Sequence, residues 1–333
     1  MGLSSTAMGL LPTPAQAGLA STVLLVIVRL VQGFSAGGEG GGSATFIAEA
    51  APDRAKAFYG SFTPLGATGG FALAAMVAAV VTNLTTPAQM TEWGWRIPFL
   101  LAFPLTLFCY WARNRVDEIV AEDPGGEEHA PVVRVIRRQT GALMRATLIS
   151  ATTNGTAYIG LTYMSIHLIQ RLGYPSGPVY WVTTGVVALA ALAMPLGGLL
   201  GDRIGLIRLL TLGLAGFFLV TYPMMALMDQ GLGVAALAFM VIMANTVALQ
   251  VGAYTFLPQL FEPSLRYTGV ALAWNLGVIA AGGTAPLIAV WLIERTGNVL
   301  SPAWFVMALA AIGALGLLGF HGAPHARSQG GTL

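Results

Sequence analysis

Charged residues are scarce in this sequence. Lysine, arginine, aspartate and glutamate together make up 9% of its 333 residues, whereas a soluble domain contains roughly 25%. The formal net charge is +2, and the basic residues lie between apolar runs instead of forming a continuous stripe. We therefore expect neither a soluble domain nor a nucleic-acid-binding protein.

Cysteine occurs once, as Cys109. A single thiol can form neither a disulfide within the chain nor a CxxC metal site. Two of the four histidines, His321 and His325, have metal-ligand spacing, but they lie in a tail rich in glycine and proline. We expect no metal, no redox or nucleotide cofactor and no catalytic residues.

Long apolar runs, by contrast, are abundant. Hydrophobic residues make up 56% of the chain, and the mean hydropathy is +0.73. Runs of about 20 apolar residues recur, which is the length of a helix that crosses a hydrocarbon core of ~30 Å. The sequence predicts an all-α polytopic membrane protein in the lipid bilayer. Its expected segments are a short one at 1–12 and nine spans near 20–47, 58–82, 95–112, 146–168, 179–200, 207–228, 233–257, 267–292 and 303–320.

The basic residues predict the orientation of these spans. Twelve of them fall on the side of the 113–145 segment, and three (Arg96, Arg171 and Arg295) fall on the opposite side. Cytoplasmic loops of membrane proteins are enriched in lysine and arginine. We expect a multi-pass protein of the cell (inner) membrane, with the 113–145 segment and the C-terminus in the cytoplasm.

An internal repeat divides the chain. Glu49 and Arg54 precede a span containing Leu65-Gly66, and Glu262 and Arg266 precede a span containing Leu276-Gly277, at shifts of 211 to 213 residues. Both copies run in the same direction, which indicates a parallel repeat about an axis along the membrane normal. The same shift predicts that two spans are missing before Met1. The expected domains are an incomplete N-terminal bundle at 1–112, a cytoplasmic linker at 113–145, a six-helix bundle at 146–320 and a cytoplasmic tail at 321–333.

Several short stretches carry a resemblance to a known family. They are RLVQGFSAGGE at 29–39, WGWRIPF at 93–99, LTYM at 161–164, GLLGDRIG at 198–205, RYTG at 266–269 and NLG at 275–277. Together they resemble the metabolite:proton symporters of the major facilitator superfamily, which include proline/betaine, α-ketoglutarate and citrate permeases. The resemblance covers nearly the whole chain. It implies a major facilitator fold of two pseudo-repeat bundles without its first two helices, and proton-coupled symport of a small polar metabolite by alternating access.

Two charges inside the first full span need a partner other than lipid. A charged residue at a helix centre costs about 2.5–3.5 kcal/mol, yet this span contains both Arg29 and Glu39. Ten residues of helix place them about 80° and ~15 Å apart, so they cannot pair with each other. The resemblance implies that Arg29, with Gln32 and Glu39, takes part in proton or substrate coupling. The alternative is that these side chains only hold the bundle together through hydrogen bonds.

A polar stripe marks the predicted span at 146–168. Asn154, Tyr158, Thr162 and Ser165 are spaced by four, four and three residues, which puts them on one face of a helix. We interpret this stripe as part of a substrate pathway, and the alternative is hydrogen bonding between helices, worth ~0.6 kcal/mol per bond. Further candidates for the pathway are Asn245, Gln250, Tyr254 and Asn275.

The resemblance also implies a cytoplasmic gate. Asp202 and Arg203 join two spans, and they are expected to form a latch with neighbouring charges. Other members of this gate would be Glu49, Arg54, Gly205, Glu262 and Arg266. The alternative is a solvated tight turn, with Gly205 supplying a positive φ.

Other functional classes remain open but receive less support. The chain could be a non-transporting fragment of such a carrier, or a membrane-embedded enzyme or receptor. Residues 33–37 match the G-x-S-x-G hydrolase pattern, but that motif needs a strand before it and here it lies within an apolar helix. The expected partners are a small-molecule substrate and protons, and a monomer is expected.

Replacing Arg29→Ala, in the protein that carries the two additional helices, is expected to abolish solute uptake without loss of membrane insertion. The reason is that a guanidinium inside a span is tolerated only where a partner or an aqueous path shelters it. Uptake of labelled solute and the amount of protein in the membrane fraction check this outcome. Normal uptake by the variant would refute the coupling role.

Overall fold

The structure, a computed structural model, describes residues 1–37, 44–45, 47, 50–113, 115 and 131–318. All secondary structure within these residues is helical, which confirms the all-α fold class. Eleven helices, here named α1 to α11, make up most of it: Gly2–Leu10, Leu19–Ala36, Phe62–Leu84, Ala102–Arg113, Thr140–Tyr158, Ser176–Ile204, Leu206–Leu227, Leu232–Phe256, Arg266–Gly277, Ala285–Thr296 and Ser301–Leu317.

Short helical segments connect the helices of the first half. A four-residue helix, Pro14–Ala17, lies between α1 and α2. A 3-10 turn, Asp53–Ala55, and a short helix, Lys56–Gly60, lead into α3. The connection from α3 to α4 consists of Pro87–Glu92, Gly94–Arg96 and Ile97–Leu100.

The second half contains three segments of wider π winding. Two of them, Ile159–Tyr163 and His167–Arg171, continue α5 on either side of the short helix Met164–Ile166. The third, Val278–Gly282, joins α9 to α10. The remaining short elements are the helix Pro131–Arg138 and the 3-10 turns Met228–Gln230, Leu257–Leu260 and Pro263–Leu265.

Five helical stretches of the described residues are long and apolar enough to cross a membrane. They are Asp53–Leu84, Ser176–Ile204, Leu206–Gln230, Leu232–Leu260 and Pro263–Thr296, and two shorter apolar helices are Leu19–Ser35 and Ser301–Leu317. The span expected at 95–112 is instead divided, with one helix ending at Leu100 and α4 beginning at Ala102. The span expected from 146 begins earlier, at Thr140.

The two halves meet where α3 packs along α6. At one end of this contact Gly198 of α6 lies so close to the first half that an added Cβ would be 2.7 Å from the Ala57 carbonyl oxygen. At the other end, Gly177 lies near the amide of Asn83. The largest fully buried side chains, among them Tyr163, Phe217 and Phe239, lie in the second half, so the hydrophobic core is centred there.

Within the second half, α9 packs closely on α5. Gly277 of α9 faces Ser150 and Ala151, and a Cβ at Gly277 would lie 2.6 Å from the Ala151 nitrogen. Small residues at such positions allow helix backbones to approach in a membrane, where packing replaces the hydrophobic effect between helices. This contact fixes the distance between two walls of the cavity described below.

The variant Gly277→Ala is expected to lower the thermal unfolding temperature of the detergent-solubilised protein, because overpacking against backbone costs typically 1–3 kcal/mol. Gly185→Ala in α6 is the matched control, since a Cβ there meets nothing within 4 Å. Equal unfolding temperatures for the two variants would contradict the close contact.

Candidate functional site

A cavity of about 240 Å3 lies between the two halves. This volume is just below the roughly 300–1,000 Å3 of pockets for drug-sized ligands, so the cavity suits a smaller molecule. The first half contributes residues 37, 67, 68 and 71, and α5, α8 and α9 with their π continuations contribute the rest. Its lining consists of Gly37, Ala67, Thr68, Phe71, Asn154, Ala157, Tyr158, Leu161, Gln250, Tyr254, Trp274, Asn275 and Val278.

Five of the eight residues predicted for the substrate pathway line this cavity: Asn154, Tyr158, Gln250, Tyr254 and Asn275. The other three do not. The hydroxyl oxygen of Ser165 lies 3.0 Å from that of Thr183 in α6. Thr162 lies in the π segment Ile159–Tyr163 and is half-buried. Asn245 packs against Gly216 of α7 and donates to the Val241 carbonyl oxygen at 3.2 Å.

The position of Asn245 follows from helical geometry. It lies five residues before Gln250, which is a rotation of about 140° on a helix of ~100° per residue. Gln250 and Tyr254 are four residues apart and share the cavity face. Asn245 therefore points toward α7 while the other two point toward the first half.

Among the lining residues that were not predicted from the sequence, three carry a hydroxyl group or an aromatic ring: Thr68, Phe71 and Trp274. Trp274 did carry a signal, because it lies in the middle of a span, whereas tryptophan in membrane helices concentrates at the interfaces. Thr68 and Phe71 gave none, because one hydroxyl and one phenyl ring are ordinary in a membrane helix.

Hydrogen bonds cross the cavity between the halves. The Thr68 hydroxyl donates to Gln250 Oε1 at 3.4 Å, and both side chains are buried, with 1% and 7% exposure. Asn275 Nδ2 donates to the Gly37 carbonyl oxygen at 2.7 Å and to the Ala271 carbonyl oxygen at 2.8 Å. These contacts hold the halves together around the cavity with neutral groups.

Within the second half, Asn154 is oriented by its own helix. Its Nδ2 donates to the Ser150 carbonyl oxygen at 2.9 Å and to Ser150 Oγ at 3.2 Å. Ser150 Oγ in turn donates to the Trp274 carbonyl oxygen at 3.2 Å. The amide oxygen of Asn154 is thereby left to face the cavity.

Arg29 and Gln32, predicted for coupling, do not line this cavity. Arg29 Nη1 donates to Gln32 Oε1 at 3.1 Å, and Gln32 Nε2 donates to Ser5 Oγ of α1 at 3.0 Å. Arg29 is exposed and borders a second cavity of about 760 Å3, which also contains Glu92 and Trp95. Glu39 lies outside the described residues, so the structure brings together only Arg29 and Gln32 of this group.

The predicted gate residue Asp202 joins the two halves at the end of α6. Its carboxylate oxygens accept hydrogen bonds from the backbone nitrogens of Ala57 at 2.8 Å and Phe58 at 3.0 Å. These amides belong to the first turn of the helix Lys56–Gly60, whose unpaired N–H groups and dipole favour an anion. Over the described part of the chain, Asp202 therefore binds backbone amides of the other half instead of a side chain of opposite charge.

The other predicted gate residues that the structure describes are not partners in this contact. Arg54, Arg203 and Glu262 are exposed, and Arg266 is half-buried at the start of α9. Gly205 separates α6 from α7 with a φ of 91°, as a tight turn requires. Glu49 lies outside the described residues.

Asp202→Ala is expected to loosen the contact between the halves on this side, because it removes the acceptor for two backbone N–H groups. Maleimide labelling of a cysteine introduced at Ala57 in a Cys109→Ser background should become several-fold faster. Asp229→Ala is the control, since Asp229 is an exposed carboxylate in a turn. Unchanged labelling in Asp202→Ala would count against a gating contact.

Comparison with known proteins points to one family. The family model described as Major Facilitator Superfamily matches residues 1–243 of this chain. The chain is similar to the ectoine/proline transporter ProP of Corynebacterium glutamicum, with 34% identity over 96% of this chain and 67% of the relative. It is also similar to the proline/betaine transporter of Escherichia coli, with 32% identity over 95% of this chain and 66% of the relative. The chain thus spans about two thirds of the length of these curated relatives.

Solved structures show the same fold. The proton:xylose symporter XylE bound to 6-bromo-6-deoxy-D-glucose has a TM-score of 0.70 at 19% identity, over 90% of this chain and 71% of that one. The transporter FucP in the outward conformation has a TM-score of 0.64 at 12% identity, over 95% of this chain and 80% of that one. At these identities the likeness concerns the fold alone.

Proposed function

Because the chain belongs to the Major Facilitator Superfamily, we propose that it is a secondary transporter that moves a small polar metabolite by alternating access. Its relatives are transporters by name, and the expectation that it is not an enzyme is confirmed by this membership. The observation that carries the proposal is the 240 Å3 cavity between the halves, since carriers of this architecture bind solute where the repeats meet.

The contact of Asp202 with the helix Lys56–Gly60 supports the gating part of the proposal. It lies on the side assigned to the cytoplasm by the basic residues. Breaking it separates α6 from the entry to α3, which would open the cavity on that side. Arg54, Arg203, Glu262 and Arg266 are proposed to tune this step as surrounding charges, together with Glu49.

Proton coupling is the second part of the proposal. Hydrogen bonds link Arg29 to Gln32 of α2, and Gln32 to Ser5 of α1. A change in charge near Arg29 would therefore alter how α1 packs on α2. Glu39, three residues before Gly42 in the same glycine-rich stretch, is the proposed proton-binding carboxylate. Its protonation would change which conformation is favoured.

The relatives indicate which metabolites to test first. They are named for ectoine, proline and betaine, and a third, from Dickeya dadantii, is named for glycine betaine, proline, ectoine and pipecolic acid. We propose that the substrate of this chain is an amino acid or a betaine, in preference to an organic acid. The protein is further proposed to be a monomer in the cell membrane, with bundles at 1–112 and 146–320, and with its linker and C-terminus cytoplasmic.

Uptake into proteoliposomes tests the transport function. With an inward proton gradient, labelled glycine betaine or proline is expected to accumulate above the level in empty liposomes, and a protonophore should abolish the accumulation. Facilitated equilibration that persists with the protonophore would support transport and refute proton coupling. No uptake of glycine betaine, proline, citrate or α-ketoglutarate would refute transport by this chain and favour the non-transporting alternative.

A further inference from the structure

Four aromatic side chains face the central cavity, and we call them the aromatic group: Phe71, Tyr158, Tyr254 and Trp274. The ring centroids of Tyr254 and Trp274 are 4.3 Å apart. Those of Phe71 and Tyr158 are 6.3 Å apart in an edge-to-face arrangement. Since Phe71 belongs to the first half and the other three belong to the second, the aromatic group forms parts of both walls.

The cavity lining described by the structure contains no charged side chain. A net anion bound there would lose its hydration without meeting a counter-charge, which is strongly unfavourable. A cationic nitrogen is different, because the faces of tryptophan and tyrosine attract cations through the ring quadrupole, most strongly where water is excluded. The lining therefore favours a substrate whose positive charge is balanced within the same molecule.

The side-chain amides of Gln250 and Asn154 supply hydrogen-bonding groups to the cavity lining. Gln250 uses Oε1 to accept from Thr68, and among the described residues its Nε2 has no hydrogen-bond partner, so it can donate to a carboxylate. Asn154 uses Nδ2 for Ser150, and over the same part of the chain its Oδ1 is unbonded, so it can accept from an ammonium N–H. One donor and one acceptor thus lie beside the aromatic rings.

We propose that the aromatic group binds the cationic nitrogen of a compact zwitterion, with Gln250 on its carboxylate, and that Trp274 and Asn154 set the specificity between types of nitrogen. This rests on the proposed function and names its binding residues. A quaternary nitrogen has no N–H and can be held only by the rings. A secondary ammonium also donates to Asn154 Oδ1, so it depends less on Trp274.

The test is calorimetric binding to the purified full chain, with glycine betaine, proline and citrate as probes. Trp274→Leu is expected to weaken glycine betaine binding by about tenfold or more, the effect of a desolvated cation–π contact, and to weaken proline binding less. Trp274→Phe should weaken glycine betaine binding to an intermediate degree. If Trp274→Leu does not fold, Trp274→Phe provides the test in its place. Trp291→Leu is the matched control, because Trp291 of α10 is 52% exposed and does not line the cavity.

Asn154→Ala should show the opposite selectivity. Proline binding is expected to fall about tenfold or more, as for the loss of a hydrogen bond to a charged group, while glycine betaine binding changes little. Equal losses for the two ligands in both variants would overturn the assignment. So would citrate binding tighter than glycine betaine, or no measurable binding of either zwitterion to the unaltered chain.

Uptake measured on the same preparations distinguishes a failure of the aromatic binding site from a failure of the proposed transport function. Selective binding without uptake would support the aromatic site and refute the proposed function. Uptake of glycine betaine that is equally efficient in Trp274→Phe, Trp274→Leu and Trp291→Leu would support transport and overturn the role of Trp274.

Discussion

The contact of α3 with α6 is the constraint on which the rest of the structure depends. It extends to the short helix Lys56–Gly60 that leads into α3, where the missing side chain of Gly198 leaves space for Ala57 and Phe58. The carboxylate of Asp202 completes it by accepting from the backbone amides of these two residues. Because α3 also carries Thr68 and Phe71, the same contact sets the distance between the walls of the cavity. Closure on one side and the geometry of the binding site are thus parts of one interface.

The polar side chains that line the cavity in the described part of the chain are neutral and are largely bonded to nearby backbone. In a membrane, an unsatisfied polar group costs several kcal/mol, and serine, threonine and asparagine commonly meet this requirement through the carbonyl four residues earlier. Asn275 and Asn154 both do so. Asn275 also donates across the cavity to the Gly37 carbonyl oxygen, so the two halves are joined there without a buried charge among the described lining residues.

The sequence was informative where a regular helix carries the pattern. The spacing of Asn154 and Tyr158, and of Gln250 and Tyr254, placed all four on the cavity because ordinary α-helix geometry holds there. Thr162 departs from the stripe because the winding changes at Ile159, and the spacing rule assumes a constant period. The partners of Asp202 were not predictable, since backbone amides carry no sequence signal, and the contribution of Phe71 depends on how two distant helices pack.

The π segments of α5 and α9 have a consequence for how the protein moves. Both adjoin the cavity, to which they contribute Leu161 and Val278, and a π turn holds one residue more than an α turn. If the Ile159–Tyr163 segment tightened into regular helix, everything beyond it would rotate by about 100°. The hydroxyl oxygens of Ser165 and Thr183 now lie 3.0 Å apart, and that rotation would separate them. It would also move Thr162 to another face of the helix. Rewinding of a single turn, without tilting of a whole bundle, would then decide which hydroxyl groups a solute meets.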